Sequence, residues 1–125
     1  MDRVVKSYRD LEVWQKSVVL TKAVYQATGS FPTQEKFGLV NQMRRAAVSI
    51  PSNIAEGHAR SSTLEYKRFI SIAMGSVAEL DTQMIISADL GFLDESARDD
   101  LLQQLNDIGR MLRGLHQALS RRAKI

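Results

Sequence analysis

Cysteine is absent from all 125 residues. Its absence removes disulfides and thiolate chemistry, and it fits a reducing compartment. No apolar run approaches the roughly 18 residues that a membrane span needs. The opening MDRVVKSYRDLEVW has no apolar core of a secretory leader, so a cytoplasmic protein with no membrane role is expected. Neither charge sign dominates: the formal charge is +3, which permits a nucleic-acid partner without demanding one. No glycine-rich GxxxxGK[ST] loop is present to cradle a phosphate. Bundles that hold two metals use a Glu-x-x-His pair, and no glutamate precedes His58 or His116 by three. Two isolated histidines and serines without a local nucleophile motif give no triad. These absences lead us to expect no catalysis, no metal and no cofactor. The basic stretches also lack the interleaved aromatic rings that stack on single strands.

What is present is helical. The length suits one domain, and 44% apolar with 25% charged residues is the composition of a folded globular chain. The organising stretch is Gln42 to Arg60, QMRRAAVSIPSNIAEGHAR, which reads as one helix through Pro51. Val40, Met43, Ala47, Ile50 and Ile54 form an apolar seam that keeps its phase across the proline. Opposite lie Gln42, Arg45, Ser49, Ser52, Asn53 and Glu56, a polar face whose middle is small and mostly uncharged. Solvated helix faces usually carry long charged side chains, so this face reads as one that is covered.

In chain order, residues 1–9 are a charged lead-in, residues 10–120 the bundle and residues 121–125 a basic tail. Asp10 is positioned to cap a first helix that runs to about Thr28, with Leu11, Trp14, Val18 and Tyr25 on one side and Val13, Leu20 and Val24 adjoining. Gly29 suits a left-handed helix end. Thr33 is placed to cap the second helix, which runs to about Gly57. Ser62 and Glu65 have capping-box spacing and open the third, whose seam is Tyr66, Ile70, Ala73, Val77, Leu80 and Met84. Gly91 closes it and Asp94 caps the fourth, whose seam runs from Leu101 to Leu119 through Leu105, Ile108, Leu112 and Leu115. With short links and no strand pattern, the expected fold is all-α, an antiparallel up-down-up-down four-helix bundle.

SIPSNIAEG at Ser49 to Gly57, followed by Arg60, resembles the signature of the bacterial 23S rRNA-intervening sequence protein family, also called four-helix bundle proteins. The similarity continues in DLEVW, in FP followed by QMRRA, and in Ala73-Met74-Gly75-Ser76 with Glu79-Leu80. His58 and Ala59 depart from the aromatic and glycine that many members have there. The resemblance implies a bundle that assembles into a homopentamer, with no defined biochemical role. A distant relative by fold, the accessory protein of diversity-generating retroelements, is a pentamer that binds nucleic acid and a reverse transcriptase.

Two functional surfaces are expected. The first is basic: Arg44, Arg45, Arg60, Lys67 and Arg68 along or near the join of helices two and three, and Arg110, Arg113, Arg121, Arg122 and Lys124 on helix four and its tail. Such cations suit phosphate contacts, and equally suit solvated helix faces. The second is a contact surface on helices two and three. Ser71, Gly75, Ala78 and Thr82 lie opposite the core seam of helix three, with Ile72 and Ile86 close by. Helix two offers Ser49, Pro51, Ser52, Asn53, Glu56 and Gly57, and Glu79 joins from helix three. Glu56 and Glu79 read either as a carboxylate pair or as partners of arginines such as Arg45. The small faces fit contact between copies, or contact of the two helices within one copy. The functions that follow are a non-catalytic pentameric scaffold binding RNA or DNA, or a pentameric adaptor for another protein.

Overall fold

The computed structural model describes residues 4–123. Among the described residues there is no strand. Four helices follow one another: α1, Glu12–Thr28; α2, Leu39–Ala59; α3, Thr63–Asp89; and α4, Glu95–Arg122. Short 3-10 turns at Tyr8–Asp10 and Thr33–Glu35 precede α1 and α2.

The helix starts are where local sequence was ambiguous. Asp10 does not cap α1: its carboxylate reaches backwards and accepts from the amides of Lys6 (2.8 Å) and Ser7 (3.3 Å). That capture folds the end of the lead-in into the first 3-10 turn, and Leu11 stands at the start of α1 without a side-chain cap. Thr33 likewise opens its own 3-10 turn and not α2. Gly38 interrupts the chain, and Glu35 Oε1 accepts from the Leu39 amide (3.2 Å) to satisfy one donor of the new helix. Gly29 ends α1 in the right-handed region at φ −62°, so a left-handed glycine is not what stops this helix. Gly91, with φ +80°, does take that conformation after α3. Ser62 and Asp94 cap α3 and α4 as their spacing predicts, accepting from Glu65 N (3.3 Å) and Ala97 N (2.8 Å).

α2 continues through Pro51. Proline has no amide to give the carbonyl four residues back, which here belongs to Ala47. Thr21 on α1 offers a donor: its hydroxyl lies 2.8 Å from Ser17 O and 3.1 Å from Ala47 O, and its single hydrogen is shared between the two carbonyls. Ala47 is 1% exposed, so water is no substitute. Leaving a buried carbonyl unpaired costs about 1–3 kcal/mol. Thr21→Val, which keeps the shape and removes the hydroxyl, should therefore lower unfolding stability by about 1–3 kcal/mol in urea titration. Thr21→Ser should restore most of it; a Val variant as stable as wild type would contradict this role.

The α1 seam differs from the expected one. The buried positions are Val13, Ser17, Leu20, Val24 and Thr28, whereas Leu11 and Trp14 are half-buried and Tyr25 is exposed. Ser17 and Thr28 disguise this stripe as polar. Their hydroxyls fold back onto Val13 O (2.6 Å) and Val24 O (2.8 Å), which lets them enter the core satisfied. Met43, Ile50 and Ile54 of α2, Ile70 and Leu80 of α3, and Ile108 of α4 are fully buried with them. Tyr66, Val77 and Leu115, expected in the seams, are half-buried.

α2 and α3 are the most extensively packed pair, and α1 against α4 is the least extensive of the four helix pairs in contact. Ser49 Oγ lies 2.8 Å from Ser76 Oγ, and Ser87 Oγ reaches Met43 Sδ at 3.4 Å, so the partner on α3 falls as position rises along α2. Gly57 allows the two helices to close at their other end. A Cβ there would sit 2.7 Å from Phe69 Cβ and 3.1 Å from Tyr66 Cδ1.

Among the described residues one helix, α3, bears on the expectation about apolar runs. By length and composition it could cross a membrane, with a mean hydropathy of 1.3 over 18 residues, only 33% of which are buried. The reason is that α3 is apolar on two sides, towards the core and away from it.

Candidate functional site

The outward side of α3 carries Ser71, Gly75, Ala78 and Thr82, all exposed and aligned at steps of four and three. A Cβ added at Gly75 would meet nothing within 4 Å. Ile72 (42% exposed) and Ile86 (44%) lie on the same side. Helix interiors disfavour glycine by about 1 kcal/mol relative to alanine, and nothing within the chain requires Gly75 to be one.

The α2 positions expected beside this surface divide. Ser49 is tied to Ser76 of the same chain, Asn53 donates to Ser49 (2.7 Å to its carbonyl, 2.9 Å to its hydroxyl), and Pro51 and Gly57 are buried. Ser49, Pro51 and Gly57 join α2 to its own bundle, and Asn53 bonds back to Ser49 on α2 itself. Ser52 and Glu56 face outward. Glu56 pairs with Arg60 one turn on, at 3.0 Å, and not with Glu79 or Arg45. Glu79 and Arg45 line one groove between α2 and α3, of about 350 Å³, together with Gln42 and Ser49.

The basic residues also divide. Arg60 is held by Glu56 and lies 5.1 Å over the Phe69 ring, and Arg110 is paired with Asp107. Arg45, Lys67, Arg68, Arg113, Arg121 and Arg122 have no carboxylate within ion-pair distance among the described residues. Lys124 lies outside the described residues. The structure also merges what the sequence separates. Burial pushes the Tyr66 phenol above its ordinary range, and the Arg122 cation acts on it in the opposite direction, so the end of α4 adjoins the start of α3. Lys67, Arg68, Arg121 and Arg122 therefore belong to one end of the bundle. Acidic Asp94, Glu95, Asp99 and Asp100 start α4 at its other end, where Arg98 is already held by Asp99 (3.0 Å) and Glu95 (3.5 Å).

One pairing had no local signal. Ser71 Oγ lies 3.0 Å from His116 Nε2, across α3 and α4 and 45 residues apart in sequence. No carboxylate bonds the other ring nitrogen among the described residues, so the pair lacks the third member that orients a catalytic histidine. No group of three potential metal ligands occurs among the described residues. Arg44, set 4.5 Å over the Tyr25 ring and donating to Thr28 Oγ1 (3.0 Å), ties α2 to α1. Gln83 Oε1 is buried without a partner, and nothing in the chain explains it.

The fold is similar to that of a protein of unknown function from the S23 ribosomal protein family of Bacteroides thetaiotaomicron VPI-5482, solved at 1.70 Å. The two are 18% identical with a TM-score of 0.76, over 83% of this chain and 97% of that one, a likeness of fold alone. No curated protein matches the chain. The family match covers residues 9–114, which takes in all of α1, α2 and α3 and most of α4. The chain belongs to the 23S rRNA-intervening sequence protein family.

Proposed function

We propose that this chain is the non-catalytic subunit of a homopentameric scaffold that binds RNA or DNA in the cytoplasm. Its four helices form an antiparallel up-down-up-down bundle, in keeping with the opposed order of contacts between α2 and α3. The observation that carries the scaffold reading is the outward side of α3, where Gly75, Ala78 and two isoleucines stand open to a neighbour. A monomeric bundle needs no second apolar side on one helix.

The nucleic-acid part is supported by Lys67, Arg68, Arg113, Arg121 and Arg122, none held by a carboxylate among the described residues. Repeating such a surface around an assembly lets many weak phosphate contacts act together. The adaptor reading draws on Phe37, 85% exposed in the link before α2, which suits an apolar protein partner.

Salt separates these readings. Phosphate binding releases counterions, so log K falls with log salt by roughly 0.7–0.9 per phosphate engaged. Fluorescence anisotropy with labelled single-stranded RNA and duplex DNA should show affinity falling steeply from low to physiological salt, with little dependence on sequence. Absence of binding to both at low salt would leave the adaptor reading in its place.

A further inference from the structure

The basic stretches hold no interleaved aromatic ring in the sequence, but folding brings one to them. Tyr25 of α1 lies against Arg44 of α2, whose guanidinium stands 4.5 Å over the ring. Arg44 is committed to holding this arrangement: its Nε donates to Thr28 Oγ1 at 3.0 Å and a terminal nitrogen to Tyr25 O at 3.1 Å. The ring is thereby fixed, yet Tyr25 remains 43% exposed. It borders an open groove of about 530 Å³ with Asn41, Arg44, Arg45, Val48 and Ser49. No carboxylate of the described residues lines that groove. Arg45 is exposed and has no carboxylate within ion-pair distance among the described residues. The same is true of Lys22, one turn before Tyr25 on α1.

We infer that this groove takes an unpaired base of a single-stranded nucleic acid, stacked on Tyr25, with the adjoining phosphates on Arg45 and Lys22. This rests on the nucleic-acid reading above and adds to it a preference for single strands. Every base has a π-face, and stacking on aromatic side chains beside cations is how single strands are held without regard to sequence. Arg44 holds the ring before any ligand arrives, so binding orders little that is not already ordered. The adjoining groove on the α3 side contains Glu79. Its carboxylate repels phosphate and favours the α1 side, where Lys22 stands. Paired bases in a duplex are stacked on one another and offer no free face, so a duplex gains phosphate contacts alone.

The test compares oligouridylate, whose bases stack little on one another, with duplex DNA, by fluorescence anisotropy on the full chain at low salt. Tyr25→Leu removes the ring and keeps an apolar side chain. It should weaken oligouridylate binding by roughly 5- to 150-fold, equivalent to the ~1–3 kcal/mol of one stacked base, and leave duplex binding unchanged. Tyr25→Phe, which keeps the ring, should bind as wild type does. A second arm needs no variant: oligouridylate carrying 4-thiouridine, irradiated with the wild-type chain, should crosslink at Tyr25, as located by peptide mass spectrometry. A Leu variant with wild-type affinity for oligouridylate, or a crosslink confined to peptides without Tyr25, overturns the stacking site and leaves nucleic-acid binding standing. A wild-type chain that binds neither oligouridylate nor duplex removes the reading beneath it.

Discussion

Replacing Gly75 by leucine is expected to break the assembly into smaller species, down to single chains of 14.0 kDa, while helical circular dichroism stays at the wild-type level. The expectation follows from comparing two glycines. Gly57 is enclosed by its own chain: a Cβ there falls 2.7 Å from Phe69 Cβ, and any larger residue must push α3 away from α2. Overpacking of that kind typically costs about 1–3 kcal/mol, and it acts on the fold itself. Gly75 has nothing within 4 Å, so the isolated subunit tolerates a side chain there. It should even gain, since leucine favours a helix interior over glycine by up to about 1 kcal/mol. A substitution that steadies the subunit and dissolves the assembly separates the two levels of structure. The same change made at Gly57 should instead lower the unfolding midpoint.

The second large effect concerns the basic residues of α4. Changing Arg113, Arg121 and Arg122 together to glutamate should abolish the gel shift with mixed RNA and DNA and leave the assembled mass unchanged. None of the three is held by a carboxylate among the described residues, so no ion pair seen there is lost when they are reversed. Exposed charges contribute little to stability, whereas each lost phosphate contact removes roughly 0.7–0.9 from the salt slope. Arg60 and Arg110 serve as the contrast. Both already pair within one helical turn, with Glu56 and Asp107, so their reversal should weaken binding less. Unchanged binding by the triple variant would take these α4 residues out of the account.

Much of this was legible in the sequence, and what was not has definite causes. The seams of α2 and α4 are made of apolar residues at helical spacing, so their periodicity survives without tertiary knowledge. The α3 seam survives in part, since Ser76, Gln83 and Ser87 are buried beside Ile70, Ala73, Leu80 and Met84. That of α1 does not, because Ser17 and Thr28 occupy core positions and hide their hydroxyls on their own backbone. The caps at Ser62 and Asp94 are local and were readable. Asp10 had amides to accept from on both sides, and only the fold shows that it takes those of Lys6 and Ser7. Continuity through Pro51 followed from the phase of the seam; the reason it is tolerated, Thr21 on another helix, did not.

The surfaces divide in the same way. The outward line Ser71, Gly75, Ala78 and Thr82 belongs to a single helix and was visible as spacing. Its expected companions on α2 are small for a different reason: Ser49 and Gly57 bring α2 against its own α3. Sequence shows that a face is small, and not which neighbour covers it. The Ser71–His116 bond and the joining of two basic groups at one end depend on long-range packing and left no local trace.

Static light scattering on the wild-type chain beside the Gly75→Leu variant tests the central claim, that α3 is apolar outward because another copy covers it. The account predicts five copies of 14.0 kDa for the wild type and smaller species for the variant, with equal helicity. A wild-type chain that scatters as one copy, or a variant that keeps the full mass, would contradict it.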